Sequence, residues 1–250
     1  MKLQLPQVTL LAIDTVTHDL TRMALEECLR HADFGSVLYF SDKEILPGAE
    51  WHGTEAFHSM DEVGRALWYE APPAIQTSHF LFIHYDSWIV NPEAWDETFL
   101  QYDYIGAPWW YRDDCNVGNG GFSLRSAALS RRIASDPNEY RFASPEDDTL
   151  CRCYGPALKA DGFKFAPTHV AAGFAFERVR PIDVDGHRIP TFGFHGMYNW
   201  PDVLNDDQIG ERLAKAPAYV LHHPHAAEMR QILIQRSHGR ASRSRIYQNA

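Results

Sequence analysis

Three consecutive segments near the amino end constrain the fold more than any other feature of the chain. Val8 to Ile13 is an unbroken apolar run rich in β-formers, the pattern of a strand buried on both faces. His18 to His31 places Leu20, Met23, Ala24, Leu25, Cys28 and Leu29 at helical spacing on one side. Ser36 to Phe40 is a second apolar strand, closed by Ser41-Asp42. A strand, a one-faced helix and a strand in that order form a β-α-β unit, which requires parallel pairing and a right-handed crossover. The expected fold class is α/β, with a mixed, mostly parallel sheet between helices.

The rest of the chain extends that frame. Asp61 to Tyr69 reads as a helix broken by Pro72-Pro73. Phe80 to His84 is a third buried strand, and Tyr85-Asp86 stand at its carboxyl end, where open α/β sheets bind ligands. Pro92 to Leu100 suggests a short helix, and Tyr104 to Ala107 and Gly121 to Leu124 suggest short strands. Ser126 to Ala134 and Pro145 to Leu158 read as helices, and Val170 to Phe176 and Phe192 to His195 as late strands. A helical pattern dominates the remainder. There is no internal repeat or low-complexity linker, so residues 1–215 are expected to form one domain and 216–250 a helical extension with a basic tail.

Composition narrows the class. Apolar residues make up 45% of the 250 and aromatics 13%, ample for a core. A net charge of −10 argues against a nucleic-acid-gripping body, which needs excess Lys and Arg over phosphate. Cys151 and Cys153 are too close for the usual zinc pair and have no partner pair, so the four cysteines read as free thiols in a reducing cytosol. The first apolar run is broken by Gln4, Pro6 and Gln7 and reads as a strand rather than a signal peptide. No run approaches the ~18 apolar residues of a membrane span, so a soluble, cytoplasmic protein is expected. Arg230, Arg236, Arg240, Arg243 and Arg245 follow with no acid after Glu228. That tail reads either as solvated or as a contact for an anionic membrane surface or acceptor.

Four segments carry chemistry. Asp86, in His84-Tyr85-Asp86, ends an apolar strand, where it is either a turn-forming carboxylate or a ligand for a divalent cation. The run Val117 to Arg125, with Asn119-Gly120-Gly121 at its centre, is a turn whose glycines let a backbone approach a ligand closely. Ser144-Pro145-Glu146-Asp147-Asp148 has the pattern of a helix start, and acids there complement the helix dipole or act as a general base. His195 stands alone between aromatics, as a structural residue or as a ligand. The Gly-any-Ser-any-Gly elbow, the phosphate loop, the dinucleotide glycine fingerprint and His-Glu-any-any-His are all missing.

In their order and spacing these segments resemble the metal-dependent glycosyltransferases of the GT-A fold. More narrowly, the chain is similar to a group of uncharacterised bacterial glycosyltransferase-like proteins that share the Asp-Ser-Trp, Gly-Asn-Gly-Gly-Phe-Ser and Glu-Asp-Asp strings. The family's Asp-any-Asp motif appears here as His84-Tyr85-Asp86, with the metal-binding last acid kept and the first replaced by His84. Asn119 to Ser126, with Ile105 to Trp109 upstream, looks like the loop beside the donor sugar. The resemblance implies Asp147 as the base, with Glu146 or Asp148 orienting substrate, and His195 as a second metal ligand beside Asp86. It places Asp14, Thr15, Asp42 and His84 with Asn119, Gly120 and Gly121 on the donor. Trp109, Trp110 and Trp200 are candidate faces for an acceptor sugar. An imidazole beside a carboxylate favours Mn²⁺ over Mg²⁺.

The implied reaction is inverting transfer of a sugar from a nucleotide-sugar, UDP-linked, to a hydroxyl of a glycan or glycolipid in surface polysaccharide synthesis. Three alternatives stay open: a binding module without catalysis, a sugar-nucleotide hydrolase, and glycosylation of a modified nucleic-acid base.

Overall fold

The computed structural model describes the backbone of residues 1–247 and side chains through residue 236. The chain divides into two compact units, Met1–His195 and Gly196–Ala250.

In the first unit β1 (Leu3–Ile13), α1 (His18–His31) and β2 (Ala32–Ser41) form the expected β-α-β unit, with β1 and β2 parallel and Ile13 opposite Phe40. The polar segment β3 (Glu50–Gly53) pairs parallel to β2 and was not legible in the sequence. Next come α2 (Met60–Arg65), a π-helical turn (Ala66–Glu70) and α3 (Ala71–Ala74). The helical run continues through Pro72-Pro73 and ends with α3 at Ala74, so the expected break falls one residue beyond the prolines.

β4 (His79–Ile83) pairs parallel to β1. Beyond β5 (Trp88–Ile89), the expected helix over 92–100 is instead two 3-10 turns, Pro92–Ala94 and Glu97–Gln101. β6 (Tyr104–Ile105) and β7 (Phe122–Ser126) complete a six-stranded sheet of order β3-β2-β1-β4-β7-β6. Only β7 runs against the others.

α4 (Ala127–Ser135) follows, then a run of α5 (Glu146–Asp148), a π-helical turn (Thr149–Tyr154) and α6 (Gly155–Ala160). The strand expected over 170–176 is mostly helix: α7 (Thr168–Phe174) starts after Pro167 and buries Ala171 and Phe174, three apart. Only β8 (Ala175–Phe176) is extended. A short apolar run fits either structure, and the proline-led start decided this one. With β9 (Gly193–Phe194), β5 and β8 form a separate three-stranded sheet.

Leu11, Ile13, Phe80 and Phe82 pack on one face of the main sheet with Leu67, Ala71 and Ala127 from the helices. The alternate residues Leu10, Ala12, Leu81 and Ile83 are equally buried, so both faces are covered. This is the mixed, mostly parallel α/β architecture that the sequence implied.

The second unit is helical: α8 (Trp200–Val203), α9 (Asp206–Lys215), α10 (Ala218–His222) and α11 (Pro224–Tyr247). Asn205 and Gln208 form a reciprocal cap on α9. Two tail arginines bond within this unit, Arg230 to the Leu221 carbonyl and Arg236 to Pro201 and Asp202. The side chains of Arg240, Arg243 and Arg245 lie outside the described residues. Among the described residues no helix is long and apolar enough to cross a membrane.

Candidate metal centre and catalytic cavity

β1, β2 and β4 are parallel and in register, so Asp14-Thr15, Ser41-Asp42 and His84-Tyr85-Asp86 leave the sheet at the same edge. β2 and β4 flank β1, which sets their ends about two strand spacings, ~10 Å, apart. Asp14 is occupied locally: its carboxylate accepts from the backbone N–H groups of Val16 and Thr17 and from the Thr21 hydroxyl. The Thr15 hydroxyl accepts from the Phe57 N–H at 2.7 Å. Asp42 lies 2.5 Å from His18 Nε2, and that hydrogen bond lowers its pKa.

The turn after β4 is stitched to the glycine loop. The His84 N–H donates to the Gly121 carbonyl (3.0 Å), and the Ser87 hydroxyl donates to the same oxygen (2.6 Å). β5 then pairs antiparallel with β9, Trp88 opposite Phe194, which returns His195 to the Asp86 turn. His195 Nε2 stands 3.4 Å from Asp86 Oδ1, and the His84 and His195 ring centres are 5.5 Å apart.

One potential ligand atom from each of His84, Asp86 and His195 lies within 4.8 Å of the others. Two imidazoles and a mostly buried carboxylate make a mixed nitrogen–oxygen donor set that fits a first-row transition-metal dication better than Mg²⁺, which prefers all-oxygen shells. Without a cation, burial and then the neighbouring His195 charge hold His84 low, at about 4. Burial also opposes charge on His195, but Asp86 and then Glu177 outweigh it and raise the imidazole to about 10.

The glycines admit protein groups first. A Cβ on Gly121 would overlap the His195 imidazole, and one on Gly120 would press on Glu146, Arg125 and Asp147. Asn119 takes a positive φ of 36°, tolerable for asparagine, and its amide nitrogen lies 3.1 Å from His195 Nδ1. Its buried Oδ1 has no hydrogen-bond partner, an orphaned polar atom beside the cluster.

The three acids at the start of α5 have different surroundings. Glu146 is gripped through both oxygens by the buried guanidinium of Arg125, at 2.5 and 3.1 Å. Asp147 accepts the Gly120 N–H at 2.8 Å and the Asp148 N–H at 2.9 Å. Asp148 faces Arg152 at 3.6 Å and is 40% exposed. A cavity of about 350 Å³ is lined by Asp147, Glu146, Gly120, Gly121, His84 and His195, with apolar side chains from α2 and the π-helical turn after it.

Of the aromatic candidates, Trp110 is exposed, whereas Trp109 and Trp200 are buried. Sequence reasoning gave His84 a place on the donor but did not count it among the candidate cation ligands. It gave no role to Arg125 or Glu177, although Arg125 closes the glycine string.

Residues 55–195 match the family described as "Protein of unknown function (DUF5672)", and the chain belongs to that family. The match contains the whole cluster and cavity. No curated protein matches the sequence.

Among solved structures the chain is similar to a glycosyltransferase involved in the glycosylation of the major capsid of PBCV-1. The TM-score is 0.48 at 13% identity, over 75% of this chain and 91% of that one. It is also similar to the glycosyltransferase GlyE of Streptococcus pneumoniae TIGR4, with TM-score 0.43 at 9% identity, over 92% of this chain and 63% of that one. A mycobacterial protein gives TM-score 0.35 at 9% identity, over 57% of this chain and 63% of that one.

Proposed function

We propose that this chain is a metal-dependent glycosyltransferase. It moves a hexose or related sugar from a nucleotide-sugar, UDP-linked, to an acceptor hydroxyl in a single inverting displacement. One observation carries the reading: the His84–Asp86–His195 cluster sits at the carboxyl end of a parallel strand, and Asp147 lines the same cavity as both histidines.

The chain's own groups divide the work. Asp147, held by the Gly120 N–H, takes the acceptor's proton while the bond from the acceptor oxygen to the sugar carbon forms and the bond to the diphosphate breaks. Glu146, fixed by Arg125, orients the loop instead of moving a proton. Asp14, Thr15 and Asp42 edge the nucleotide side. When bound at the cluster, Mn²⁺ (or Mg²⁺) neutralises the charge that the leaving diphosphate acquires. Exposed Trp110 offers a face to an acceptor glycan or glycolipid of surface polysaccharide synthesis. The Arg-rich tail is the contact for an anionic membrane surface.

Thermal melting against UDP-, GDP-, dTDP- and CMP-sugars, with and without Mn²⁺, tests the donor assignment. A ligand specific for the folded state stabilises by about 2.7 kcal/mol at a hundredfold excess over its Kd. A Mn²⁺-dependent shift with one nucleotide supports it, and no shift with any removes the donor site. His84 in place of the first acid favours a second reading, a binding module without catalysis. A donor-induced shift with neither glycoside nor free sugar formed would select that reading.

A further inference from the structure

We propose that Glu177 is the positioning residue of the cation site: it accepts a hydrogen bond from the Nδ1–H of His195 and so leaves the Nε2 lone pair for the cation. The inference rests on the cation reading above and extends it to a residue outside the ligand group.

Strand register brings the two side chains together. β8 and β9 are parallel with Phe176 opposite Phe194, and the His195 N–H donates to the Phe176 carbonyl at 3.0 Å. Glu177 and His195 are the next residues on their strands and leave the small sheet side by side. Glu177 Oε1 lies 3.5 Å from His195 Nδ1, while Nε2, across the ring, lies 3.4 Å from Asp86. Both side chains are largely buried, 14% and 16% accessible, so water competes weakly for either nitrogen.

An ionised carboxylate only accepts hydrogen bonds, so Glu177 calls for a proton on Nδ1 and leaves the Nε2 lone pair for the cation. The Asn119 amide, 3.1 Å from the same Nδ1, fits this tautomer when its oxygen faces the ring, and its oxygen and nitrogen exchange places by a simple flip. Metal-ligating histidines recurrently donate their other N–H to a carboxylate or carbonyl, and losing that outer partner lowers metal affinity about 10–100-fold. Glu177 does not belong to the group whose potential ligand atoms converge. Its place is behind the ligand.

The test is Mn²⁺ binding to the whole chain, read from the electron paramagnetic resonance signal of free Mn²⁺, for wild type, Glu177→Gln and Glu177→Ala. Metal-free melting temperatures are measured in parallel. The expected result is an about 10–100-fold loss of affinity in Glu177→Ala and a smaller loss in Glu177→Gln, which keeps an acceptor oxygen but no charge.

A residue with only a structural role would lower the metal-free melting temperature and leave Mn²⁺ affinity unchanged, and that result overturns the inference. Glu177→Gln, nearly isosteric, keeps the comparison available if Glu177→Ala does not fold. Wild type that fails to bind Mn²⁺ overturns the cation reading itself and this inference with it. Wild-type binding retained in both variants overturns the inference alone.

Discussion

Glu146 and Asp147 are adjacent, and their partners give them different work. Arg125 grips Glu146 through both oxygens, while Asp147 touches the glycine loop and the cavity. Asp147→Asn is expected to lower kcat by about 10²–10⁴-fold and to leave Mn²⁺-dependent donor binding intact, as measured by turnover and melting. Asp86→Ala is expected to abolish the Mn²⁺-dependent donor shift as well. Arg125→Met removes the counter-charge of a carboxylate that is only 13% accessible, which typically costs about 3–5 kcal/mol, readable by urea denaturation.

His195 supplies a pH test for the metal-free protein. Its folded pKa, about 10, lies above the ordinary 6.5, so its stabilisation is complete below 6.5 and is lost as pH rises toward 10. With chelator present the urea midpoint should fall across that interval, and His195→Gln should flatten the fall.

At the scale of elements, two backbone approaches hold the glycine loop. A Cβ on Gly106 would run into the Gly118 and Asn119 carbonyls, main-chain atoms that cannot swing aside. Gly106→Ala is therefore expected to destabilise by about 1–3 kcal/mol in urea denaturation, with loss of Mn²⁺ affinity as the loop shifts beneath His195. Both helical runs that border the cavity contain a π-helical turn, Ala66–Glu70 and Thr149–Tyr154, a distortion that often marks functional sites.

The long elements were legible because their periodicity is strong: α1 carries a one-faced stripe, and β1, β2 and β4 are apolar runs. The short ones were legible only in part: β6, β7 and β9 overlap segments read as strands, whereas β3 and β5 gave no signal and the apolar residues of α7 suit a strand as well as a helix.

For the molecule as a whole, the charge of −10 outweighs a basic tail, and two of the tail's arginines already bond within their own unit. The protein is expected not to retard duplex DNA in a gel-shift assay at about 0.15 M salt, where non-specific binding depends on neutralising phosphates. A retarded band would bring glycosylation of a modified base forward.

The β1-α1-β2 unit, the parallel core strands and the residue types of the site follow from the sequence alone, because they rest on local periodicity and on side-chain chemistry, which are properties of neighbours along the chain. The convergence of His84, Asp86 and His195, the division of labour among Glu146, Asp147 and Asp148, and the place of Glu177 behind His195 were decided by tertiary structure. The first and the last depend on the register between strands distant in sequence, β5 on β9 and β9 on β8, and the second on the contact of α5 with the glycine loop and Arg125, all set by the packing of the core.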